Sequence, residues 1–341
     1  MIFIIFEMKY DDLKNCTLCE HRCGVNRLVG ETGVCRMTLP QVASATLHPA
    51  PPESYTVFMA GCNFKCLNCQ NWTIAHFPDN ASLIRGQVTA ANLAAECAHQ
   101  LGSPSARLMG ADRIFFSGGE PTIHLPYIEE VVDLARRINP QIKVNFDTNG
   151  YMTSRSLERV LAFATSITFD IKAFNDEVHF ALTGASSRPV LRNAAHIATN
   201  AADQLWEFRI LVIPGITDEE ILPIARFIAD LDCNLPLCFL AFRPNFILAQ
   251  HQGASADLMR RCVNIARNVG LNNVSWAGHT DIYGKGTAVE PAVSDAYASP
   301  RARQAASWAY TAGCFTHPRN CAACDTNQTC PIKTCIPNRS T

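Results

Sequence analysis

The feature that most constrains this chain is the grouping of its cysteines. The sequence has 341 residues and 16 cysteines. Most of the cysteines lie in three short clusters: Cys16, Cys19, Cys23 and Cys35; Cys62, Cys66 and Cys69; and Cys314, Cys321, Cys324, Cys330 and Cys335. The rest are expected to be ordinary buried side chains, because each lies in an apolar or helical stretch: Cys97, Cys233, Cys238 and Cys262. Clusters at such spacings are typical of metal ligands in a cytoplasmic protein.

Composition excludes several classes of protein. Apolar residues make up 48% of the chain and charged residues 17%, which predicts a packed core rather than disorder. The net charge of -1 gives no electrostatic argument for a nucleic-acid or anionic-membrane partner. No apolar run reaches the ~18 residues of a membrane span. The opening MIFIIF lacks the basic front of a secretion signal, and we expect either a buried first strand or a start codon placed upstream of Met8.

Short strand patterns alternate with helical patterns through the middle of the chain. The strand patterns are Tyr55–Ala60, Arg113–Ser117, Ile142–Asp147, Ser166–Ile171, Leu205–Ile213 and Leu237–Phe242. The helical patterns are Ala90–Leu101, Leu125–Ile138, Ser154–Phe163, Pro189–Ala202 and Asp218–Leu231, the last with Thr217 or Asp218 as its cap. Near-continuously apolar strands are typical of a parallel sheet covered on both faces. The alternation predicts an α/β fold, either a barrel or an open doubly wound sheet.

Polar or glycine-rich residues follow five consecutive strands of this pattern. The second cysteine cluster follows the first strand, and the next four strands lead into SGGEPT (117–122), DTNG (147–150), DIK (170–172) and PG (214–215). In parallel α/β folds the carboxyl ends of the strands carry the active site. The sequence therefore predicts one functional rim.

The second cluster, Cys62, Cys66 and Cys69, has the spacing CxxxCxxC. Three thiolates can hold three corners of a [4Fe–4S] cube, whereas a closed cluster takes four cysteines. An open coordination position distinguishes a catalytic metal from a structural one, and S-adenosylmethionine (SAM) is the natural occupant of that position. A zinc knuckle is the alternative.

CNFKCLNC is followed, in order, by SGGEPT, FDTNG, FDIKAFNDEVH and LVIPGITDE. From about residue 16 to about residue 285, this series resembles the radical SAM superfamily. The similarity is greatest to the pyruvate formate-lyase activating enzyme branch, including activase-like proteins with an extra N-terminal cysteine segment. The resemblance implies a partial (β/α)6 TIM-like barrel that cleaves SAM to a 5′-deoxyadenosyl radical. It also implies hydrogen abstraction from a protein substrate, with flavodoxin or ferredoxin as the low-potential electron donor.

The resemblance also implies roles for individual residues. Gly118 and Gly119 would permit close approach to the SAM amino group, and Glu120 would accept a hydrogen bond from it. Lys172 would pair with the SAM carboxylate. Further positions follow the family pattern: Asp147, Thr148 and Asp170 beside a monovalent cation, Val212 and Pro214 along the adenine, and Arg209 against substrate or SAM. The alternatives are structural: a glutamate-capped bend, an Asp–Lys salt bridge, and an ion pair of Arg209.

Two positions depart from the family pattern. Asn68 stands before the third cysteine, where the superfamily usually has an aromatic residue that packs on the adenine, and Phe64 or Trp72 are the candidates to replace it. Arg243 stands where relatives carry a histidine after the sixth strand.

The two flanking clusters lie outside the barrel pattern. Cys16, Cys19, Cys23 and Cys35 offer four thiolates and so a closed site, for which we favour a structural ion, with zinc, iron or a cluster left open. In the tail, Cys321, Cys324, Cys330 and Cys335 are similar to, but one residue longer than, the SPASM pattern of peptide-modifying radical SAM enzymes. Cys314 is a fifth candidate there, and both a zinc ribbon and an auxiliary iron–sulfur cluster fit the spacing.

We therefore expect three segments: an N-terminal metal-binding segment (1–46), a radical SAM core (47–285) and a C-terminal cysteine-rich extension (286–341). A proline-rich linker, Leu47–Glu53, is expected to join the first two segments. The expected function is that of a radical SAM oxidoreductase acting on a protein. A peptide- or protein-modifying maturase with an auxiliary cluster and a non-catalytic zinc-binding interaction protein are the alternatives.

Overall fold

A computed structural model describes residues 10–76, 78–79, 81–282, 286 and 295–335. The predictions for MIFIIF and Met8 fall outside these residues. The chain divides into two compact units, one of Met1–Asn63 with Thr73–Thr168 and one of Phe64–Trp72 with Phe169–Thr341. Within the described ranges, no helix combines the length and hydropathy that a bilayer crossing requires. The three-segment division by sequence stays a prediction.

The first unit is built on four strands, β1 (Val42–His48), β2 (Ser54–Met59), β3 (Arg113–Gly118) and β4 (Lys143–Thr148). They neighbour one another in chain order. Strand β1 is antiparallel to β2, whereas β2, β3 and β4 are mutually parallel. The predicted strands β2 to β4 are confirmed. Strand β1 lies mostly before the predicted linker, Leu47–Glu53, and overlaps only its first two residues. Sequence analysis missed β1 because its exposure alternates beyond Ala43, whereas the predicted strands are continuously apolar.

The second unit carries three parallel strands in chain order, β6 (Leu205–Val212), β7 (Leu237–Ala241) and β8 (Val274–Ala277). Strand β5 (Ser166–Asp170) spans the division between the units. Strand β8 was not predicted, since four residues with a half-exposed pattern give little periodic signal. The predicted α/β fold of mostly parallel strands is confirmed.

Helices follow most strands of both units. In chain order they are α1 (Trp72–Ala75), α2 (Ala90–Leu101), α3 (Pro104–Met109), α4 (Leu125–Ile138), α5 (Ser154–Phe163), α6 (Asp176–Thr183), α7 (Arg188–Asn200), α8 (Ile221–Leu231), α9 (Ala256–Asn268), α10 (Pro300–Thr311) and α11 (Pro331–Thr334). Side-chain caps begin several of them, such as Thr89 before α2 and Thr153 before α5. Helix α8 begins later than predicted, because the Thr217 hydroxyl binds Ile213 N and the Leu211 carbonyl instead of capping it.

The cysteines outside the three clusters behave largely as expected. Cys97, Cys238 and Cys262 are buried. Cys233, in contrast, is exposed in the turn after α8, so the expectation of burial is wrong at that position. The apolar residues near Cys233 in the sequence belong to the preceding helix, α8, whereas Cys233 itself lies beyond the end of that helix.

Candidate active site

The turn after β3 lies against the backbone that leads into Cys62. Gly119 N donates to the Met59 carbonyl at 2.8 Å, and Glu120 N donates to the Gly61 carbonyl at 3.0 Å. A Cβ on Gly118 would fall on the backbone of Met59, and one on Gly119 would fall on the Gly61 carbonyl oxygen. Gly118 also has a φ of +112°, which side chains rarely adopt. The two glycines therefore bring the predicted SAM-binding turn against the start of the cysteine loop.

Glu120 is almost completely buried at the end of this turn. Its Oε1 accepts hydrogen bonds from Thr122 N at 3.1 Å and from the hydroxyls of Thr122 and Thr148 at 2.5 and 2.7 Å. Its Oε2 accepts from Asn149 N at 2.8 Å. Burial raises the pKa of Glu120, while these hydrogen bonds lower it. The carboxylate thus joins the ends of β3 and β4, the structural role considered as the alternative for it.

A buried pair of asparagines adjoins Cys62. The Asn149 side-chain amide donates to Asn63 Oδ1 at 2.7 Å and to Cys62 Sγ at 3.9 Å. An N–H aimed at a sulfur favours its thiolate form, and in iron–sulfur proteins it tunes the cluster potential. Sequence analysis did not select either asparagine. The available signal was their position, directly after Thr148 in DTNG and directly after Cys62.

Asp147 and Thr148, the first two residues of DTNG, are also held by hydrogen bonds. Asp147 Oδ2 accepts from the Ser117 hydroxyl at 2.6 Å. The Thr148 hydroxyl donates to Glu120 and accepts from Gly150 N at 3.1 Å. The structure therefore places both residues beside the turn after β3, as the strand-end rule predicted.

In the second unit, Lys172 lies beside Asp170. Lys172 Nζ and Asp170 Oδ2 are 2.6 Å apart, with the two side chains 21% and 24% exposed, so the salt bridge named as an alternative is present. Burial raises the pKa of Cys66 and raises that of Cys69 to about 12, and the charge of Lys172 lowers both. Lys172 is thus within electrostatic reach of both thiols, and its charge offsets part of the rise in pKa that burial causes.

Arg209 has an ion-pair partner, and the burial of the remaining predicted positions of the second unit differs. Arg209 Nη2 is 3.0 Å from Glu207 Oε1, which is the structural ion pair considered for it. Val212 and Pro214 are buried at the end of β6. Arg243 is exposed.

The aromatic residues near the cysteine loop pack on other rings. Phe64 meets His179 edge to face at 5.3 Å between ring centroids, and Trp72 stacks on Phe246 at 5.3 Å. Asn68 is buried. The adenine contact expected of Phe64 or Trp72 stays a prediction.

The N-terminal cluster lines a very small cavity in the first unit. All four predicted cysteines, Cys16, Cys19, Cys23 and Cys35, border this cavity of about 10 Å³. Arg27, 1% exposed, also borders it, with its Nη1 3.9 Å from Cys16 Sγ and 2.6 Å from the Ile123 carbonyl. The structure therefore brings this group together.

The C-terminal cluster lines a larger cavity in the second unit. Cys314, Cys321, Cys324 and Cys330 border it. Cys335 follows α11 and is not one of the lining residues. In the described part of the chain, no three His, Cys, Asp or Glu side chains come close enough together to chelate a single metal ion.

Known proteins are similar to this chain over much of its length. The radical SAM superfamily model matches residues 56–228, half of the chain. An uncharacterized protein of Methanocaldococcus jannaschii is 28% identical over 79% of this chain and 83% of its own length. The pyruvate formate-lyase 1-activating enzyme of Escherichia coli is 26% identical over 50% of this chain and 65% of that enzyme. A domain of the pyruvate-formate lyase-activating enzyme from Bacteroides vulgatus is 22% identical, covering 48% of this chain and 98% of that domain with a TM-score of 0.39. The chain belongs to the radical SAM superfamily.

Proposed function

We propose that this radical SAM enzyme abstracts a hydrogen atom from a protein substrate, as an activating enzyme of a glycyl-radical enzyme does. The observation that carries the proposal is the similarity to proteins named as pyruvate formate-lyase activating enzymes, including those of Escherichia coli and Streptococcus mutans. A low-potential flavodoxin or ferredoxin is the proposed electron donor. Family membership argues against the alternative of a non-catalytic zinc-binding protein.

The family's [4Fe–4S] cluster and SAM fit the residues present. CxxxCxxC offers three thiolates, one fewer than the four that close an iron–sulfur cube. The Asn149 amide, 3.9 Å from Cys62 Sγ, offers an N–H to that sulfur. The positive charge of Lys172 lowers the pKa of Cys66. Both effects stabilise a thiolate. When bound, the reduced cluster would supply one electron for cleavage of the SAM sulfonium, which would generate the 5′-deoxyadenosyl radical that abstracts hydrogen.

Different residues of this chain would bind the cluster and SAM. Cys62, Cys66 and Cys69 would hold three irons. Lys172 would exchange its bond to Asp170 for one to the SAM carboxylate, since both side chains reach solvent. The cation site of Asp147, Thr148 and Asp170, the adenine contacts of Val212 and Pro214, and the contact of Arg209 stay predictions.

A second candidate function has one observation in its favour. The four thiols around the C-terminal cavity are suited to an auxiliary cluster, which a peptide- or protein-modifying maturase would use. Both candidates begin with hydrogen abstraction from a polypeptide. They differ in the fate of the substrate radical, which an activating enzyme leaves in place and a maturase converts into a new bond.

Deuterium transfer would test the proposed substrate class. The reduced, reconstituted enzyme is mixed with SAM and with cell protein that carries deuterated glycine. We expect 5′-deoxyadenosine to gain one deuterium, because the radical takes the atom from a glycine Cα and leaves a glycyl radical there. The Cys66→Ala variant should form no 5′-deoxyadenosine, whereas Cys97→Ala, which alters a buried cysteine outside the clusters, should behave as the parent.

The fraction that supplies the deuterium decides between the outcomes. Transfer from the low-molecular-mass filtrate of labelled cells, and none from protein, would contradict a protein substrate. Deuterium in 5′-deoxyadenosine together with a new bond in the substrate peptide, without a persistent glycyl radical signal in electron paramagnetic resonance (EPR), would favour the maturase.

A further inference from the structure

The C-terminal cavity is bordered by four thiols from one short segment of the tail. Its volume is about 290 Å³, and Cys314, Cys321, Cys324 and Cys330 contribute to its wall. Cys321 is fixed in place, since its N donates to the Gly184 carbonyl at 3.1 Å and a Cβ on Gly184 would fall on its sulfur. The tail segment is therefore held against the rest of the second unit at Gly184.

The size of this cavity separates it from the N-terminal one. A space of ~10–15 Å³ holds about one water-sized group, and the N-terminal cavity of about 10 Å³ is of that size. The C-terminal cavity, at about 290 Å³, has room for a group of many atoms. A space of the first size has room for a single ion at most, whereas a space of the second size has room for a multinuclear iron–sulfur core.

Two buried cations complete the wall of the C-terminal cavity. Lys65 and Arg319 are each 1% exposed. Arg319 donates to the Ala181 carbonyl and the Lys65 carbonyl, both at 2.7 Å, while Lys65 Nζ binds Asn327 Oδ1. Among the described residues, the Arg319 Nε–H has no hydrogen-bond partner.

These cations need a negative partner inside the cavity. Buried charges are stable when they are paired. Of the described residues that border the cavity, the cysteines are the ones that can carry negative charge. Cys314, Cys321 and Cys330 lie within electrostatic reach of Arg319. A [4Fe–4S] core with four thiolates is a dianion when oxidised, which two buried cations offset.

We infer that Cys314, Cys321, Cys324 and Cys330 hold a [4Fe–4S] cluster, and that Cys335 is not among its ligands. This ligand set replaces Cys335 of the sequence-based quartet with Cys314. The inference stands independently of the substrate proposed above, since it concerns a group bound by the tail.

Iron counting in a variant that lacks the central site would test the ligand set. The parent for this test is the full-length chain with Cys62, Cys66 and Cys69 all changed to alanine, reconstituted anaerobically with iron and sulfide. We expect this parent to bind about four fewer irons than the unsubstituted protein and to keep the cluster of the tail. Adding Cys314→Ala should remove about four further irons with their acid-labile sulfide. Adding Cys335→Ala, the matched control, should leave the iron content and the EPR signal of the reduced cluster unchanged.

Each outcome has a distinct meaning. Loss of iron with Cys335→Ala and retention with Cys314→Ala would overturn the ligand set. Zinc in place of the expected tail iron would overturn the cluster. A parent with the same iron content as the unsubstituted protein would contradict the proposed central site and not the inference about the tail.

Alkylation of the unsubstituted holoenzyme keeps the inference testable if Cys314→Ala does not fold. Cluster ligands are protected from iodoacetamide, so mass spectrometry should find Cys335 labelled and Cys314 protected. The reverse pattern would overturn the inference.

Discussion

Asn149→Asp should lower the reduction potential of the cluster proposed at Cys62. The substitution keeps the shape of the side chain, and its remaining oxygen can still accept from Tyr151 N, as Asn149 Oδ1 does at 3.0 Å. It replaces the amide that lies 3.9 Å from Cys62 Sγ with a carboxylate oxygen. A hydrogen-bond donor to the sulfur is thereby lost and a negative charge is gained.

The 3.9 Å separation sets the magnitude. Two unit charges at this distance repel by about 4 kcal/mol at an effective dielectric constant of ~20. For one electron this corresponds to roughly 180 mV. A ligand thiolate carries only part of the cluster charge, so we expect a fall of about 50 to 180 mV.

The effect should depend on pH. The same repulsion raises the pKa of the introduced carboxyl, because the neutral acid avoids it. The carboxyl is therefore charged at high pH and becomes neutral as the pH falls. The difference in potential between Asn149→Asp and the parent should be largest near pH 8.5 and should shrink towards pH 6.

An EPR-monitored redox titration of the reconstituted enzyme would measure this effect. Asn139→Asp is the matched control, since Asn139 is an exposed residue at the end of α4 and its Oδ1 also accepts a backbone N–H. The control should leave the midpoint potential unchanged. An Asn149→Asp potential within ~20 mV of the parent at pH 8.5 would refute the argument that this amide acts on the cluster.

Three further predictions concern single sites. Lys172→Met should weaken SAM binding about tenfold, or roughly 1.4 kcal/mol, in equilibrium dialysis. The same substitution should change the free energy of unfolding by no more than about 1 kcal/mol, because the pair with Asp170 is partly exposed. If the Kd for SAM were unchanged and the protein were less stable, Lys172 would have only a structural role. Gly119→Ala should destabilise the protein by about 1–3 kcal/mol in urea unfolding, since the new methyl group meets the Gly61 carbonyl. Gly102→Ala is the control, since Gly102, like Gly119, has no positive φ and its new methyl group would meet only ordinary contacts at 3.4 Å or more. The control should change the free energy of unfolding by no more than about 1 kcal/mol, and equal destabilisation by the two substitutions would contradict the argument from the Gly61 carbonyl. Cys35→Ala should remove about one metal ion per chain by elemental analysis, whereas Cys97→Ala should remove none; an unchanged metal content in Cys35→Ala would rule out the N-terminal ion.

The sequence predicts the elements whose signal is local. Strands β2, β3 and β4 are short apolar runs, and helix α2 begins after a threonine cap, so their patterns sufficed. The four N-terminal cysteines could be grouped from spacing alone, because a short loop has to bring them together. Strand β1 was missed because an edge strand with one exposed face lacks the continuous apolar pattern of its neighbours.

The contacts that sequence analysis missed join residues far apart in the chain. Asn149 meets Asn63 across 86 positions, and a motif within either segment gives no indication of the other. The spacing of the cysteines along the chain favoured Cys335 over Cys314 as a ligand. The cavity is instead bordered by Cys314, because the segment that leads to Arg319 packs against the Ala181 carbonyl. Packing in three dimensions decided both cases.

The bond from Arg319 to the Lys65 carbonyl has a consequence for biosynthesis. The two residues are 254 positions apart, so during translation the backbone beside Cys66 leaves the ribosome long before its partner has been synthesised. If iron were inserted into the nascent chain, the cysteine loop would still lack its hydrogen bond from Arg319. Maturation factors that deliver iron and sulfide should therefore act on the released polypeptide, and a message truncated before codon 319 should yield protein whose loop is incompletely supported.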